Sequence, residues 1–152
     1  NDSVGAVNRL VDMGLEPFLV ASSLAASLAQ RLVRRICPHC KEPQTEIQDN
    51  IRLEIADVLD MDDDEIPAWQ GKGCLECDET GYRGRVAVYE FFLMNEDLAD
   101  SVARGGTTTE LRAFAIRSGM ITLRQDGWRK VAAGLTTIKE IQRITSSCDV
   151  HY

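Results

Sequence analysis

Four cysteines stand in two matched pairs, Cys37-Pro38-His39-Cys40 and Cys74-Leu75-Glu76-Cys77, with two residues between the thiols of each pair. That spacing lets both sulfurs of a pair turn toward one point from a tight knuckle. Two knuckles supply the four thiolates of a tetrahedral Zn²⁺ site, with Zn–S near ~2.3 Å. The residue types alone also admit iron in the same four sulfurs. Two disulfides are the competing use of these thiols. That use leaves a fifth cysteine, Cys148, odd, and no secretory signal pattern precedes the pairs. A four-sulfur shell is closed, whereas a catalytic zinc keeps one position for water. The expected ion is therefore structural, and no catalytic residue is assigned. His39 sits inside the first knuckle, where its ring is expected to point away from the metal, and His151 is next to the last residue.

The knuckles must be carried by neighbouring elements. Asp2 or Ser3 caps a first helix with Val4, Val7, Leu10 and Val11 on one face, and Gly14 ends it. Pro17 can start a second helix without cost at its first turn. The stacking of Leu24, Leu28 and Leu32 at i, i+4 and i+8 predicts that this helix runs to about Arg35. Small residues (Ala21, Ser22, Ser23, Ala25) cover much of its surface, as on a core helix. Gln30, Arg31 and Arg34 at its end have no packing explanation. Between the knuckles, Ile47, Ile51, Ile55, Val58 and Leu59 recur at helical spacing. After the second knuckle Gly81 and Gly84 mark turns, and Val86 and Val88 mark a short strand. The last third is read as helical. Asn95 precedes Glu96 and Asp97, Thr107–Glu110 and Thr122–Gln125 fit capping boxes, and Thr137–Glu140 opens a last short helix.

Charge is unevenly spread over the 152 residues, whose net charge is −7. Residues 1–43 carry +1, residues 44–79 carry −10, and residues 80–152 carry +2, which sums to that total. Ribbon-type zinc sites that bind nucleic acid need a basic face, and the segment here has the opposite sign. Nucleic acid is therefore not an expected partner. The run Asp60-Met61-Asp62-Asp63-Asp64-Glu65 begins like a calcium loop, but its sixth position is Glu65 rather than Gly and its twelfth is Gly71 rather than Glu. It reads as a solvated loop. The longest uncharged apolar stretch, 18–29, is too short to span a bilayer. Phosphate-loop, Ser/His/Asp and HExxH patterns are absent, so this chain by itself is not expected to be an enzyme.

A resemblance covers essentially the whole chain. Gly5-Ala6-Val7-Asn8-Arg9-Leu10, Met13-Gly14-Leu15-Glu16-Pro17-Phe18, Ala29-Gln30-Arg31-Leu32-Val33-Arg34-Arg35 and the first knuckle follow one another in unbroken order. Gly73-Cys74-Leu75-Glu76-Cys77 and Thr80-Gly81-Tyr82-Arg83-Gly84-Arg85 continue it. Together they resemble the cytoplasmic ATPases that drive type II secretion and type IV pilus assembly.

The resemblance implies a fold that is mainly α with a small β element. Residues 1–36 would be the last helices of a RecA-like ATPase core, 37–90 a tetracysteine zinc-binding subdomain, and 91–152 a helical C-terminal subdomain. Asn1-Asp2 resembles the residues directly after the family's histidine box, so the chain is expected to be the C-terminal part of a P-loop ATPase. The parent would bind ATP and Mg²⁺ and form a hexamer. It would work in the cytoplasm, held at the inner membrane by a platform protein rather than by a span of its own. Cys37, Cys40, Cys74 and Cys77 would hold structural Zn²⁺. Arg31 and Arg34 would serve the nucleotide site or a subunit interface, against the alternative of a salt bridge to a local acid. Leu15-Glu16-Pro17-Phe18-Leu19 is closer to the type II secretion branch. The competing class is a free-standing zinc-ribbon adaptor for protein partners. The turns are also similar to the zinc region of J-domain chaperones, but Cys77 is followed by Asp78-Glu79-Thr80-Gly81, with two units where four are expected.

Overall fold

The structure, a computed structural model, describes residues 2–145; Asn1, Cys148 and His151 lie outside them. The described chain forms two compact units, one from 2–30 with 89–123 and the other from 31–88 with 124–145.

The first unit is built on capped helices. The Asp2 carboxylate accepts the Gly5 N–H at 2.6 Å and starts α1 (Ser3–Asp12), whose Val4 and Val7 are fully buried. Gly14, at φ +96°, turns the chain into α2 (Pro17–Ser23). Asn95 caps α4 (Glu96–Ala103) by accepting the Leu98 N–H at 2.9 Å. Thr107 and Glu110 form a reciprocal capping box on α5 (Thr108–Arg117), with Thr107 N–H donating to Glu110 Oε2 at 2.8 Å. The apolar faces meet around Val7, Val20, Phe92, Leu98, Leu111 and Ala115.

The long second helix predicted from residue 17 to about residue 35 is not formed. It stops at Ser23, and Ala26–Ile36 is a strand, β1, paired with β4 (Tyr82–Leu93). Two causes are visible. Ser22 Oγ donates back to the carbonyls of Phe18 at 2.9 Å and Leu19 at 3.3 Å, a local competition that weakens a helix end. Leu24, Leu28 and Leu32 are also separated by even numbers, so they share a face in a strand as well as in a helix. The β-rich partner settles the ambiguity. Hydrogen bonds from Met94 N–H to the Ala25 carbonyl and from Cys37 N–H to the Gly81 carbonyl run in opposite chain order, so the pair is antiparallel. β4 is also far longer than the short strand expected at 86–88. With about 49% helix and 20% strand, the chain is mixed α/β rather than mainly α.

In the second unit, β2 (Lys41–Pro43) and β3 (Trp69–Gly71) form an antiparallel ladder, with Lys41 opposite Gly71 and Pro43 opposite Trp69. The ladder closes the long excursion between the knuckles. Within that excursion α3 (Asp49–Leu59) buries Ile51 and Ile55 and ends at Asp60 in the left-handed conformation. The excursion thus carries apolar packing of its own. Trp128 and Val131 of α6 (Leu123–Ala132) and Ile141 of α7 (Ile138–Thr145) are also fully buried. Glu54 on α3 accepts the Trp128 indole N–H at 2.8 Å and a fork of bonds from Arg124. Burial raises its pKa, but these donors outweigh burial and lower it.

Candidate metal centre

The first knuckle follows β1 directly. Cys37 N–H donates to the Gly81 carbonyl at 2.9 Å, and Lys72 N–H donates to the Cys40 carbonyl at 3.0 Å. The second knuckle is a single 3-10 turn, Leu75–Cys77, reversed by Asp78 and Glu79 at positive φ. The two segments touch backbone to backbone. A Cβ built on Gly71 would lie 2.0 Å from the Gly81 carbonyl oxygen, so only glycine allows this approach. Gly81 is itself at φ +77°.

These contacts bring the four cysteine sulfurs within 4.8 Å of one another. Among the described residues they are the one group of His, Cys, Asp or Glu side chains assembled closely enough to share an ion. The Cys37–Cys74 and Cys40–Cys77 sulfurs are 3.9 Å apart, and those of Cys74 and Cys77 are 3.7 Å apart. A tetrahedron with metal–sulfur bonds of ~2.3 Å has edges of ~3.8 Å, so the donor set fits such an ion. His39 is exposed and stands outside the group.

The surrounding backbone favours thiolate over thiol. Gly73 N–H donates to Cys40 Sγ at 3.3 Å, while Cys74 and Gly81 donate to Cys77 Sγ at 3.3 and 3.2 Å. Desolvation pushes the Cys77 thiol up, but these N–H donors prevail and hold it at about 6. Desolvation and the hydrogen bond with Cys77 raise Cys74 to about 12. Desolvation raises Cys40 as well, so of these three thiols only Cys77 is held below its ordinary value. The set can hold a metal, and with four sulfurs it leaves no place for a substrate.

Arg31 and Arg34 stand on β1, not at a helix end. The Arg34 guanidinium donates to Glu140 Oε1 at 2.9 and 3.1 Å and lies 4.1 Å from the centroid of the Tyr82 ring. Its backbone N–H reaches Glu140 Oε2 at 2.8 Å, and Arg143 approaches the same carboxylate at 3.0 Å. Burial of Glu140 opposes ionisation, but Arg143 and Arg34 hold its carboxyl at about 2. From the sequence Glu140 is only a helix-opening residue, and Glu90 is not among the predicted site residues. Glu90 is 1% exposed in the first unit and accepts from Ser3 N–H at 3.0 Å and Ser3 Oγ–H at 2.6 Å. A signal for it existed: strand alternation puts Glu90 on the same face as Val88 and Phe92.

The family described as type II/IV secretion system protein matches residues 1–143. The chain belongs to this family. Type II secretion system protein HxcR of Pseudomonas aeruginosa is 43% identical over 145 residues, covering 95% of this chain and 26% of that protein. The type IV pilus assembly ATPase PilB of Myxococcus xanthus is also 43% identical, over 141 residues, covering 93% of this chain and 25% of its own length. The type II secretion system ATPase E of Vibrio cholerae is 38% identical over 145 residues, 95% of this chain and 28% of that protein. The chain thus spans about a quarter of the length of the curated relatives it matches. No helix among the described residues is long and apolar enough to cross a membrane.

Proposed function

We propose that this chain is the C-terminal, zinc-binding region of a hexameric P-loop ATPase that powers type II secretion or type IV pilus assembly. The family match over residues 1–143 carries the reading, and it favours a piece of an ATPase over a free-standing zinc-ribbon adaptor. Relatives from the secretion and pilus branches are equally similar, at 43%, so the reading is made at the level common to both. Residues 1–36 would complete a RecA-like core, 37–90 form the tetracysteine subdomain, and 91–152 the C-terminal subdomain. ATP and Mg²⁺ would be held by other residues of the parent, at the cytoplasmic face of an inner-membrane platform protein.

Cys37, Cys40, Cys74 and Cys77 would ligate one structural Zn²⁺, supported by sulfur separations of 3.7–3.9 Å. Arg34 would act through its ion pair with Glu140, holding β1 to α7, while Arg31 would reach a nucleotide or subunit contact. Two measurements test the proposal. Purified full-length protein should hydrolyse ATP, whereas residues 1–152 alone should show no turnover above a buffer blank. Elemental analysis should find one zinc per chain; iron, or metal well below one equivalent, would sink the zinc assignment.

A further inference from the structure

The second unit holds a cavity of about 350 Å³, walled by the segment leading into α3, by β3, by the start of β4 and by α7. Pockets that bury small ligands run from ~300 to 1,000 Å³. Its apolar lining is Ile47, Ile51 and Ile138 with Tyr82. Ile51 and Ile138 are buried, and Tyr82 is held in place from two sides. Its hydroxyl hydrogen-bonds Thr137 Oγ1 at 2.9 Å, and Arg34 lies 4.1 Å from its ring centroid.

Side-chain amides dominate the polar lining, from Gln44, Gln48, Gln70 and Gln142. Gln44 and Gln70 each commit one amide N–H inside the unit, to the Glu46 carbonyl at 3.1 Å and the Glu42 carboxylate at 3.0 Å. Gln48 stands at the N-cap of α3 without making a capping bond. Among the described residues, the side-chain amides of Gln48 and Gln142 have no hydrogen-bond partner. Each amide offers a donor and an acceptor side by side, the same complement as a peptide group. Such groups around an apolar lining match an extended main chain, whose N–H and C=O groups need partners once they leave water.

Only two charges line the cavity, Glu46 and Lys139, and they cancel. A phosphate-rich ligand would find no clamp of cations there. Residues 44–79, which supply Gln44, Gln48 and Gln70, carry −10. That stretch attracts lysine or arginine side chains on a bound segment.

We propose that this cavity binds an extended, basic segment of a partner protein, held by main-chain hydrogen bonds to Gln48 and Gln142. The test titrates the full-length protein into a fluorescein-labelled, end-capped peptide alternating lysine and threonine, read by anisotropy. The peptide should bind. Gln48→Ala with Gln142→Ala should weaken binding about tenfold or more at unchanged melting temperature, the loss of two hydrogen bonds. Methylating the main-chain nitrogens of the peptide should have a similar effect, with the protein untouched. Replacing its lysines with glutamates should abolish binding. Equal binding by the double variant, or of the methylated peptide, would assign recognition to charge alone and overturn the proposal. A lysine peptide that does not bind, or a glutamate peptide that binds as well, would overturn it too. A parent without ATP turnover would sink the proposed function and leave these results unchanged.

Discussion

Three acids without solvent-facing roles, Glu54, Glu90 and Glu140, hold distant parts of the chain together, and each is met by several donors. Glu140 has the clearest consequence. Its carboxyl is depressed from 4.5 to about 2, so it binds fewer protons folded than unfolded over that interval. Its contribution to stability is therefore fully present above about pH 4.5 and lost as pH falls toward 2. A shift of this size corresponds to about 3 kcal/mol, reduced toward about 1 because Arg34 and Arg143 are half exposed and screened by water. Thermal unfolding should find Glu140→Gln less stable than wild type near neutral pH, with the gap narrowing toward pH 2. A gap independent of pH would place the loss in packing rather than in the ion pairs. Arg31 belongs to the same strand but to a different question. In the full-length protein Arg31→Ala should lower ATPase activity at unchanged melting temperature; a fall in melting temperature of matching size would make it structural.

At the scale of elements, the candidate metal centre is the junction of a ladder, two knuckles and a strand end. Chelation, or Cys74→Ser, removes a cross-link between 37–40 and 74–77 and should free amides across the second unit. The helices of the first unit, α1, α2, α4 and α5, have their own buried faces and should keep their protection in hydrogen exchange. Uniform loss of protection in both units would refute that division. The glycine contact makes a second prediction. Gly81→Ala places a side chain at φ +77° and a Cβ 2.5 Å from the Gly71 carbonyl oxygen. A strained residue of this kind costs about 1–3 kcal/mol. The variant should melt earlier and release metal faster to a chromogenic chelator, and unchanged release would separate the glycine contact from the ligand geometry.

The whole chain carries its negative charge in one place, the −10 of residues 44–79, and the run at 60–65 is its most acidic part. Anionic lipid would repel that segment, whereas a basic surface on a platform protein would attract it. Asp63 has a local use, lying 4.0 Å from Arg52, so the informative change spares it. Replacing Asp62, Asp64 and Glu65 with their amides should leave ATP hydrolysis by the full-length protein unchanged and reduce secretion or pilus assembly. Normal secretion by the triple variant would reduce the run to a solvated loop.

The cysteine quartet and the helices α1, α3, α4 and α5 were legible in the sequence because their determinants are close neighbours along the chain. A cap reaches three residues, an apolar helix face repeats every three or four, and a knuckle needs its two thiols three positions apart. β1 was not legible on those terms. Leu24, Leu28 and Leu32 satisfy both periods, and the choice was made by β4, whose Phe91 lies 63 positions from Leu28. The buried acids share that origin: Glu140 is matched to Arg34 across 106 positions, and Glu90 to Ser3 across 87. A lone charge at a core position is costly, and only the folded chain brings up the donors that offset it. The sequence by itself thus determined the cysteine quartet and the local helices. The tertiary structure decided the strands and the ion pairs, because their stabilising partners meet only after distant segments have come together.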